Sequence, residues 1–420
     1  MLTSRFVWSF LIALSLTSAV ANGQAQYQLL YSFGTNASDG SMPNGGLVFD
    51  KQGNMYGTTQ QGGAGVNCEF CGTVFELSPS NGGWTETVIY SFCSLPKCAD
   101  GEEPAAGLIF DSLGNLYGTT VQGGTNQLGA VFELSPPKAP GSSWTEKALW
   151  SFVGAFTGDD GAWPYSRLNW DASGNLYGTA SLGGISGGGT VFKVSPDGDG
   201  TWTETTLYSF CPDDILLHHC PDGFRPVTGV TFDKAGNLYG TASAGGFADK
   251  WGVLYKLSPP PSGDDWTETT LYKFVGTGGG QPLSVVSFDE SGNAYATAST
   301  GAPNSPGLCG GVFKFIPSSG KKLSYLFYPN ETGCRPQAGV LHDERTGTLY
   351  VTTEFGGFSE GNVYAIKGGT ASVLYTFCSQ DKCTDGAHPT GSLTADRGRL
   401  FSTTTQGGAF NKGIVFVIRP

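Results

Sequence analysis

Five aspartates recur in an Asp-Gly pair that has proline at the fourth position after the aspartate: Asp39, Asp100, Asp160, Asp222 and Asp385. Ionised carboxylates are strong hydrogen-bond acceptors and hard oxygen ligands, so a ring of them would suit a calcium ion, another cation or a polyhydroxylated ligand. The same residues also fit turn chemistry, in which Asp accepts nearby backbone N–H groups and Pro fixes the entry to a strand. We favour turn formation for these five residues and keep them, as the alternative, as the candidate ligand-binding residues of the protein.

Ten cysteines follow the same repeat. An even number of cysteines in an exported chain indicates disulfides. The predicted pairs are Cys68–Cys71, Cys93–Cys98, Cys211–Cys220, Cys309–Cys334 and Cys378–Cys383. The first pair also has the C-x-x-C form of redox and zinc sites, but the second Cys or His pair of a zinc ribbon is absent from the sequence.

No catalytic residue is predicted. The segment Gly184–Gly188 matches the letters of G-x-S-x-G, but it lies in a glycine-rich loop between two predicted strands, whereas a nucleophile elbow needs a strand, a turn and a helix. The chain has four histidines. His218 and His219, beside Cys220, are either metal ligands or polar residues of an enlarged loop.

The sequence contains one repeat seven times, and this repeat must position the aspartates and cysteines described above. Its equivalent aromatic positions are spaced by 61, 60, 62, 56, 55 and 51 residues: Tyr56, Tyr117, Tyr177, Tyr239, Tyr295, Tyr350 and Phe401. Such spacing suits four strands with loops. In the second unit the strand-like runs, called A to D, are Gly107–Asp111, Asn115–Thr120, Ala130–Leu134 and Trp144–Phe152. The A–B link reads Asp-x-x-Gly-Asn, which is hairpin chemistry, with calcium binding as the alternative.

Chain order predicts an all-β, seven-bladed β-propeller with four-stranded blades. The chain begins with an unpartnered D run, Tyr27–Phe33, and ends with a C run, Gly413–Ile418, whose unit lacks its own D run. Pairing the two closes the ring and removes two exposed sheet edges. In an A-B-C-D meander the B–C and D–A loops share one face, so we expect any ligand there, near the central channel.

The first 21 residues read as a signal peptide, with Arg5, an apolar run over Phe6–Leu16 and the small-residue cleavage site Ala19-Val20-Ala21. Residues 22–420 form one predicted domain. No later segment has the ~20 apolar residues of a membrane helix. The net charge of −12, without a Lys/Arg cluster, argues against nucleic acid and anionic lipid. We expect a monomer in the periplasm or outside the cell, with glycans, cations or proteins as candidate partners.

The pieces Leu-Tyr-Ser-Phe, Asp-Gly-x-x-Pro, Gly-Asn-Leu-Tyr-Gly-Thr-Thr and Gly-Thr-Val-Phe resemble the GloVer tandem repeat of exported bacterial proteins. The resemblance covers residues 27–420 and implies export and a repeat fold; it carries over no activity and no cofactor. Members often end in a sorting anchor, which this sequence does not predict after its last strand. The function expected is a secreted, non-catalytic binding or structural module, and the alternative is a secreted carbohydrate-active or other hydrolytic enzyme on a propeller.

Overall fold

The seven repeat units fold into seven antiparallel sheets, which we number as blades 1 to 7 in chain order. The computed structural model describes residues 25–65, 71–139, 141–154, 160–212, 220–246, 250–263, 265–276, 279–301, 309–317, 321–327 (backbone), 333–356 and 360–420. The predicted signal peptide, residues 1–21, lies outside these ranges. Helical structure in the described part is limited to short turns such as Pro96–Cys98, and no helix there is long and apolar enough to cross a membrane.

The chain enters through β1 (Gln26–Ser32), which belongs to blade 7. Blade 1 contains β2 (Gly40–Pro43), β3 (Val48–Phe49), β4 (Met55–Gly62), β5 (Thr73–Ser80) and β6 (Gly83–Ser91). Blade 2 contains β7 (Ile109–Phe110), β8 (Leu116–Thr120), β9 (Ala130–Ser135) and β10 (Thr145–Ser151). Blade 3 contains β11 (Asn169–Trp170), β12 (Leu176–Ala180), β13 (Thr190–Pro196) and β14 (Trp202–Ser209).

The remaining four blades repeat this order. Blade 4 contains β15 (Thr231–Phe232), β16 (Leu238–Ala242), β17 (Val253–Ser258) and β18 (Thr267–Lys273). Blade 5 contains β19 (Gly280–Pro282), β20 (Ser287–Phe288), β21 (Ala294–Thr300), β22 (Gly311–Ile316) and β23 (Lys321–Phe327). Blade 6 contains β24 (Leu341–Asp343), β25 (Thr348–Thr353), β26 (Asn362–Lys367) and β27 (Thr370–Thr376). Blade 7 contains β28 (Thr394–Asp396), β29 (Arg399–Thr404) and β30 (Ile414–Arg419), with β1 as its outer strand.

Ring closure occurs between the two ends of the described chain. Strand β1 pairs antiparallel with β30, from Gln26 opposite Arg419 to Ser32 opposite Ile414. The predicted seven-bladed propeller, with its N-terminal strand completing the last blade, is therefore confirmed. The short β2 and β19 add a further pairing to the ends of β4 and β21, which the sequence pattern did not predict.

The glycine of the Gly-Thr-Thr motif makes room for an aromatic ring. Gly118 pairs with Phe132 on the neighbouring strand, and a Cβ at Gly118 would lie 2.6 Å from the Phe132 Cζ. Phe132 in turn meets Phe92 of the preceding blade edge to face, with ring centroids 5.0 Å apart. Because both phenylalanines belong to the repeat, this contact recurs around the ring and joins successive blades through buried aromatic surface.

The first threonine of that motif ties six of the seven blades to the next one, while its equivalent in blade 6, Thr352, has no hydrogen-bond partner among the described residues. The Thr119 hydroxyl donates to the Ser166 carbonyl oxygen at 3.0 Å, from blade 2 to the inner segment of blade 3. In the described residues the equivalent bonds are Thr58 to Ala106, Thr179 to Thr228, Thr241 to Ser284, Thr297 to Ala338 and Thr403 to Gly45. These buried bonds fix the inner segments that line the axis.

Disulfides join four of the predicted pairs in the described residues: Cys93–Cys98, Cys211–Cys220, Cys309–Cys334 and Cys378–Cys383. Cys71 is also disulfide-bonded, while Cys68 lies outside the described residues. The tryptophans of the outer strands, such as Trp144, pack half-buried on the hydrophobic clusters of the blades. Packing therefore accounts for these tryptophans.

Candidate functional site

A channel of about 490 Å³ runs through the centre of the ring. Its volume falls within the range of small-molecule pockets, about 300–1,000 Å³. Inner segments of all seven blades line it, and Arg167 and Arg225 are the charged residues of this lining. No aspartate or glutamate of the described chain is among the lining residues, although the protein carries a net charge of −12.

Arg167 breaks the sevenfold symmetry of the channel. It stands seven residues after the repeated aspartate, where the units place Gly46, Gly107, Arg167, Gly229, Val285, Gly339 and Ser392. The side chain is open to the channel, yet the surrounding protein desolvates it, and this desolvation lowers the pKa of its guanidinium. Within the described ranges it has no ion pair, so no described residue neutralises its charge.

Tyr165 lies on the same wall, two residues before Arg167, and its side chain is 37% exposed. Burial raises the pKa of Tyr165; Glu103 raises it further, and Arg225 opposes both. Arg225 from blade 4 and Glu103 from blade 2 are therefore both close enough to the Tyr165 hydroxyl to act on it electrostatically. Blade 3 thus contributes an aromatic and polar group to the wall, with one cation and one anion nearby.

Seven residues at the mouth of the channel have left-handed backbone conformations. They directly precede the repeated proline, and their φ angles are 57° at Met42, 56° at Glu103, 56° at Trp163, 58° at Arg225, 48° at Gln281, 54° at Arg335 and 56° at His388. Such φ values are uncommon for residues other than glycine, asparagine and aspartate and cost free energy. We call these seven residues the mouth ring.

Hydrogen bonds to the preceding blade hold the mouth ring in place. The Glu103 N–H donates to the Cys71 carbonyl oxygen at 3.0 Å, and the Trp163 N–H donates to the Leu128 carbonyl oxygen at 2.9 Å. The backbone is thus repeated around the ring while the side chains differ in charge, size and polarity. Strained backbone conformations are often found at functional sites, where contacts with the surrounding structure hold them in place. A comparison of the residues before the repeated prolines could have revealed this variable ring from the sequence.

Two members of the mouth ring have carboxylate partners. Arg335 Nη1 lies 3.5 Å from Glu354 Oε2, and its guanidinium lies over the Phe355 ring. His388 Nε2 lies 2.9 Å from Glu360 Oε2. The exposed members differ from these: Trp163 is 38% exposed, and Arg225 has no ion pair with a residue of the described chain. Gln281 on blade 5 is exposed as well, so the exposed side chains of the mouth ring lie on blades 3, 4 and 5.

The five predicted ligand-binding aspartates lie beneath the D–A loops. Their exposures are 4% for Asp39, 0% for Asp100, 6% for Asp160, 7% for Asp222 and 1% for Asp385. Asp100 accepts hydrogen bonds from the Tyr90 hydroxyl at 2.8 Å, the Ser94 N–H at 2.9 Å and the Leu95 N–H at 3.1 Å. This geometry is that of the turn-forming alternative, and a ligand role for these carboxylates stays a prediction.

Glutamates of the following blade face four of these aspartates. Burial, with a smaller contribution from the neighbouring aspartate, raises the pKa of Glu86 and Glu268 to about 7 and that of Glu146 to about 8. The pKa of Glu204 rises to about 8 for the same reason, opposed in part by a hydrogen bond from Thr206. These four blade interfaces therefore each contain a pair of carboxyl groups. No local sequence motif predicted these pairs.

The A–B turns on the opposite face use their aspartates as predicted for hairpins. Asp50 Oδ1 accepts the N–H groups of Gln52 and Asn54, both at 2.9 Å, and Oδ2 accepts the Asn54 amide at 2.8 Å. Among the residues with described positions, no group of three His, Cys, Asp or Glu side chains could hold a metal ion. His218 and His219 lie outside those positions.

Comparisons with known proteins agree with this architecture. The pattern of one family, the Gloeobacter/Verrucomicrobia repeat, matches residues 16–219 and 215–416. PorZ, described as an essential surface component of the type-IX secretion system of Porphyromonas gingivalis, is 14% identical with a TM-score of 0.50 over 90% of this chain and 46% of PorZ. This chain thus spans about half the length of PorZ.

A second solved structure has a similar fold and a similar length. A candidate 6-phosphogluconolactonase from Bacteroides uniformis is 13% identical with a TM-score of 0.50, over 83% of this chain and 94% of that one. At such identities both likenesses concern the fold alone. No curated protein matches the sequence significantly.

Proposed function

The chain belongs to the Gloeobacter/Verrucomicrobia repeat family, and we propose that it is an exported, non-catalytic binding propeller whose ligand enters the central channel. The entrance is the face that carries the D–A and B–C loops and the mouth ring. The observation that carries this proposal is Arg167, an arginine with no ion pair in the described chain, at a channel position that most blades fill with glycine, serine or valine. A guanidinium without a described counter-charge, open to the central channel, is best explained by a ligand that uses it.

The chemistry of the lining supports binding rather than catalysis. The described lining offers guanidinium, hydroxyl and amide groups, including Arg167, Arg225, Tyr165 and Gln337. These groups orient and hold a ligand. Hydrolysis of a glycosidic bond would instead call for a pair of carboxyl groups about 5–10 Å apart at the site. The enzyme alternative therefore lacks a specific observation in its favour.

Export is supported by the cysteines and by the N-terminal sequence. Four disulfides within the described residues fit an oxidising compartment. Arg5, the apolar run after it and Ala19-Val20-Ala21 have the order of a secretory signal. The role given for PorZ, a bacterial surface component, is of the same broad kind.

A polysaccharide and small-molecule array, read for both binding and cleavage, tests the proposal. The expected result is binding without cleavage, with hydrogen-exchange protection confined to the mouth ring and the channel wall of blades 3 and 4. Cleavage of any array member would favour the enzyme alternative. Protection at the A–B turns, on the opposite face, would contradict the assignment of the site.

A further inference from the structure

We propose that the ligand of this channel carries an anionic group, a carboxylate or a phosphate, which Arg167 and Arg225 bind. The inference rests on the proposed function, because it names the chemical class of ligand for the same channel. It concerns two residues of neighbouring blades. Arg225 belongs to the mouth ring, and Arg167 lies further along the inner segment of blade 3.

The charge of the channel opposes the charge of the protein. The net charge is −12, but the charged residues of the described lining are both cations. Neither arginine has an ion pair with a residue whose position is described, whereas Arg335, Arg345 and Arg399 each have a carboxylate within 4 Å. A desolvated guanidinium without a counter-charge is costly, and an anionic ligand would supply the missing partner.

The channel lining also contains hydrogen-bond donors other than the arginines. Asn44 Oδ1 already accepts the Thr390 hydroxyl at 2.7 Å, which leaves the Asn44 amide N–H groups for another partner. With Tyr165 and the two guanidinium groups added, the lining includes several hydrogen-bond donors that an oxyanion could accept. Guanidinium binds carboxylate and phosphate through two parallel N–H bonds, which lysine does not reproduce.

The position of the two arginines suggests how the ligand enters. Arg225 at the mouth is exposed and attracts an anion from solution, because uncompensated charge at an entrance raises the local concentration of the opposite charge. Arg167 is more strongly desolvated, so an ion pair formed there is less screened by water and salt. The half-exposed Tyr165 ring lies two residues before Arg167 and can cover an apolar face of the ligand.

Three monosaccharides that differ only at carbon 6 test the inference by calorimetry: glucose, glucuronate and glucose 6-phosphate. We expect at least one of the two anions to bind about ten-fold or more tightly than glucose. Which of them binds separates a carboxylate ligand from a phosphate ligand. R167Q should weaken that binding by about ten-fold or more, and R167K should recover only part of it. R397Q is the matched control, since Arg397 is 81% exposed in the A–B turn of blade 7, on the opposite face.

Three results would overturn the inference. The first is equal binding of glucose and both anions, and the second is no binding of either anion. The third is an equal loss in R397Q and R167Q, which would mean that general charge, not the channel, attracts the anion. A different result would separate the two proposals. If a neutral ligand from the array protects the channel from hydrogen exchange and binds R167Q as tightly as the wild type, the proposed function is supported and the anionic inference is wrong.

Discussion

The ring of Tyr27 lies flat on the ring of Tyr375, with centroids 4.0 Å apart and planes inclined by 10°. Tyr27 belongs to the closing strand β1 and Tyr375 to blade 6. The Tyr27 hydroxyl also donates to the Asp385 carbonyl oxygen at 2.9 Å. Tyr27 occupies the position that Glu86, Glu146, Glu204 and Glu268 hold in other blades, four residues before a Tyr or Trp near the end of the outer strand. At this interface the phenol of Tyr27 takes the place of the glutamate and stacks on Tyr375, while the aspartate, Asp385, remains.

Removing that stack should loosen the closure of the ring. We expect Tyr27→Ala to lower the free energy of unfolding by about 2–4 kcal/mol, since it removes buried aromatic area, a stacking contact and a hydrogen bond. Chemical denaturation measures the change. The control is Leu29→Ala in the same strand, because Leu29 is 38% exposed. Equal losses in the two variants would show that the closing strand is held by its backbone pairing and not by Tyr27.

The carboxyl pairs between blades should make stability depend on pH. The folded pKa values of Glu86, Glu146, Glu204 and Glu268 lie at about 7 to 8, above the ordinary value of 4.5. A carboxyl with a raised folded pKa stabilises the fold in its protonated form. Its contribution is complete below about pH 4.5 and is lost as the pH rises through 7 to 8. The melting temperature should therefore fall by several degrees between pH 5.5 and pH 8.5.

Replacing the four glutamates by glutamine tests the origin of that dependence. Glutamine resembles the protonated carboxyl, so the quadruple variant should melt at nearly the same temperature at both pH values. The single variant Glu290→Gln, at an exposed position, should keep the wild-type slope. A wild-type slope in the quadruple variant would assign the pH dependence to other groups.

The buried aspartates can be tested one at a time, beginning with Asp100. Asp100→Ala leaves the Tyr90 hydroxyl and two backbone N–H groups without an acceptor, which should cost about 3 kcal/mol or more of folding free energy. Asp100→Asn should cost less because one acceptor oxygen remains. Asp265→Asn, at an exposed position, controls for charge. If ligand affinity falls in Asp100→Asn while the melting temperature does not, the ligand-binding prediction for this residue holds and the turn alternative is wrong.

Much of the fold followed from residues that act on their neighbours in sequence. Asp50 and Asn54 set a hairpin within five residues, and the unmatched run at Tyr27–Phe33 required a partner, so the turn and the closure were predictable. Arg167 was missed because nothing beside it in the sequence is unusual. Only alignment of the seven units shows that glycine usually fills its place, and only the ring places that position at the axis. The pairing of Glu86 with Asp39 was missed for a similar reason, since it depends on how one blade packs against the next.

Glycine at a position of the mouth ring should give a more stable fold than the residue present there, because glycine adopts a positive φ without strain. Gln281 has a φ of 48°, so Gln281→Gly should relieve backbone strain and stabilise the fold by on the order of 1 kcal/mol, after the entropy gained by the unfolded chain is subtracted. Gln61→Gly in the extended strand β4 is the matched control and should destabilise by about 0.5–1 kcal/mol. The melting temperatures of both variants, compared with that of the wild type, measure these changes in stability. A loss of stability in Gln281→Gly would mean that its side-chain contacts outweigh the strain.

The disulfides should differ in their contribution to stability. Cys309–Cys334 closes a loop of 25 residues and Cys93–Cys98 one of 5. Loop-closure entropy then gives about 3.5 kcal/mol for the longer loop and about 2 kcal/mol for the shorter one. Replacing Cys309 and Cys334 by serine should lower the melting temperature more than replacing Cys93 and Cys98. Titration of the denatured, non-reduced protein should find almost no free thiol, and two or more per chain would contradict the pairing.

The pairing of Gln26 with Arg419 also sets an order of events in time. A chain that is delivered from its N-terminus, by the ribosome or through an export pore, releases β1 first and β30 last. During the whole interval β1 has no partner of its own, and its free backbone groups can pair with the edge of another protein. Contacts between such distant residues form slowly, because a very long loop must close before they are made. The first strand to emerge is thus the last to find its partner, and a factor that shields it during delivery would act on residues 26–32.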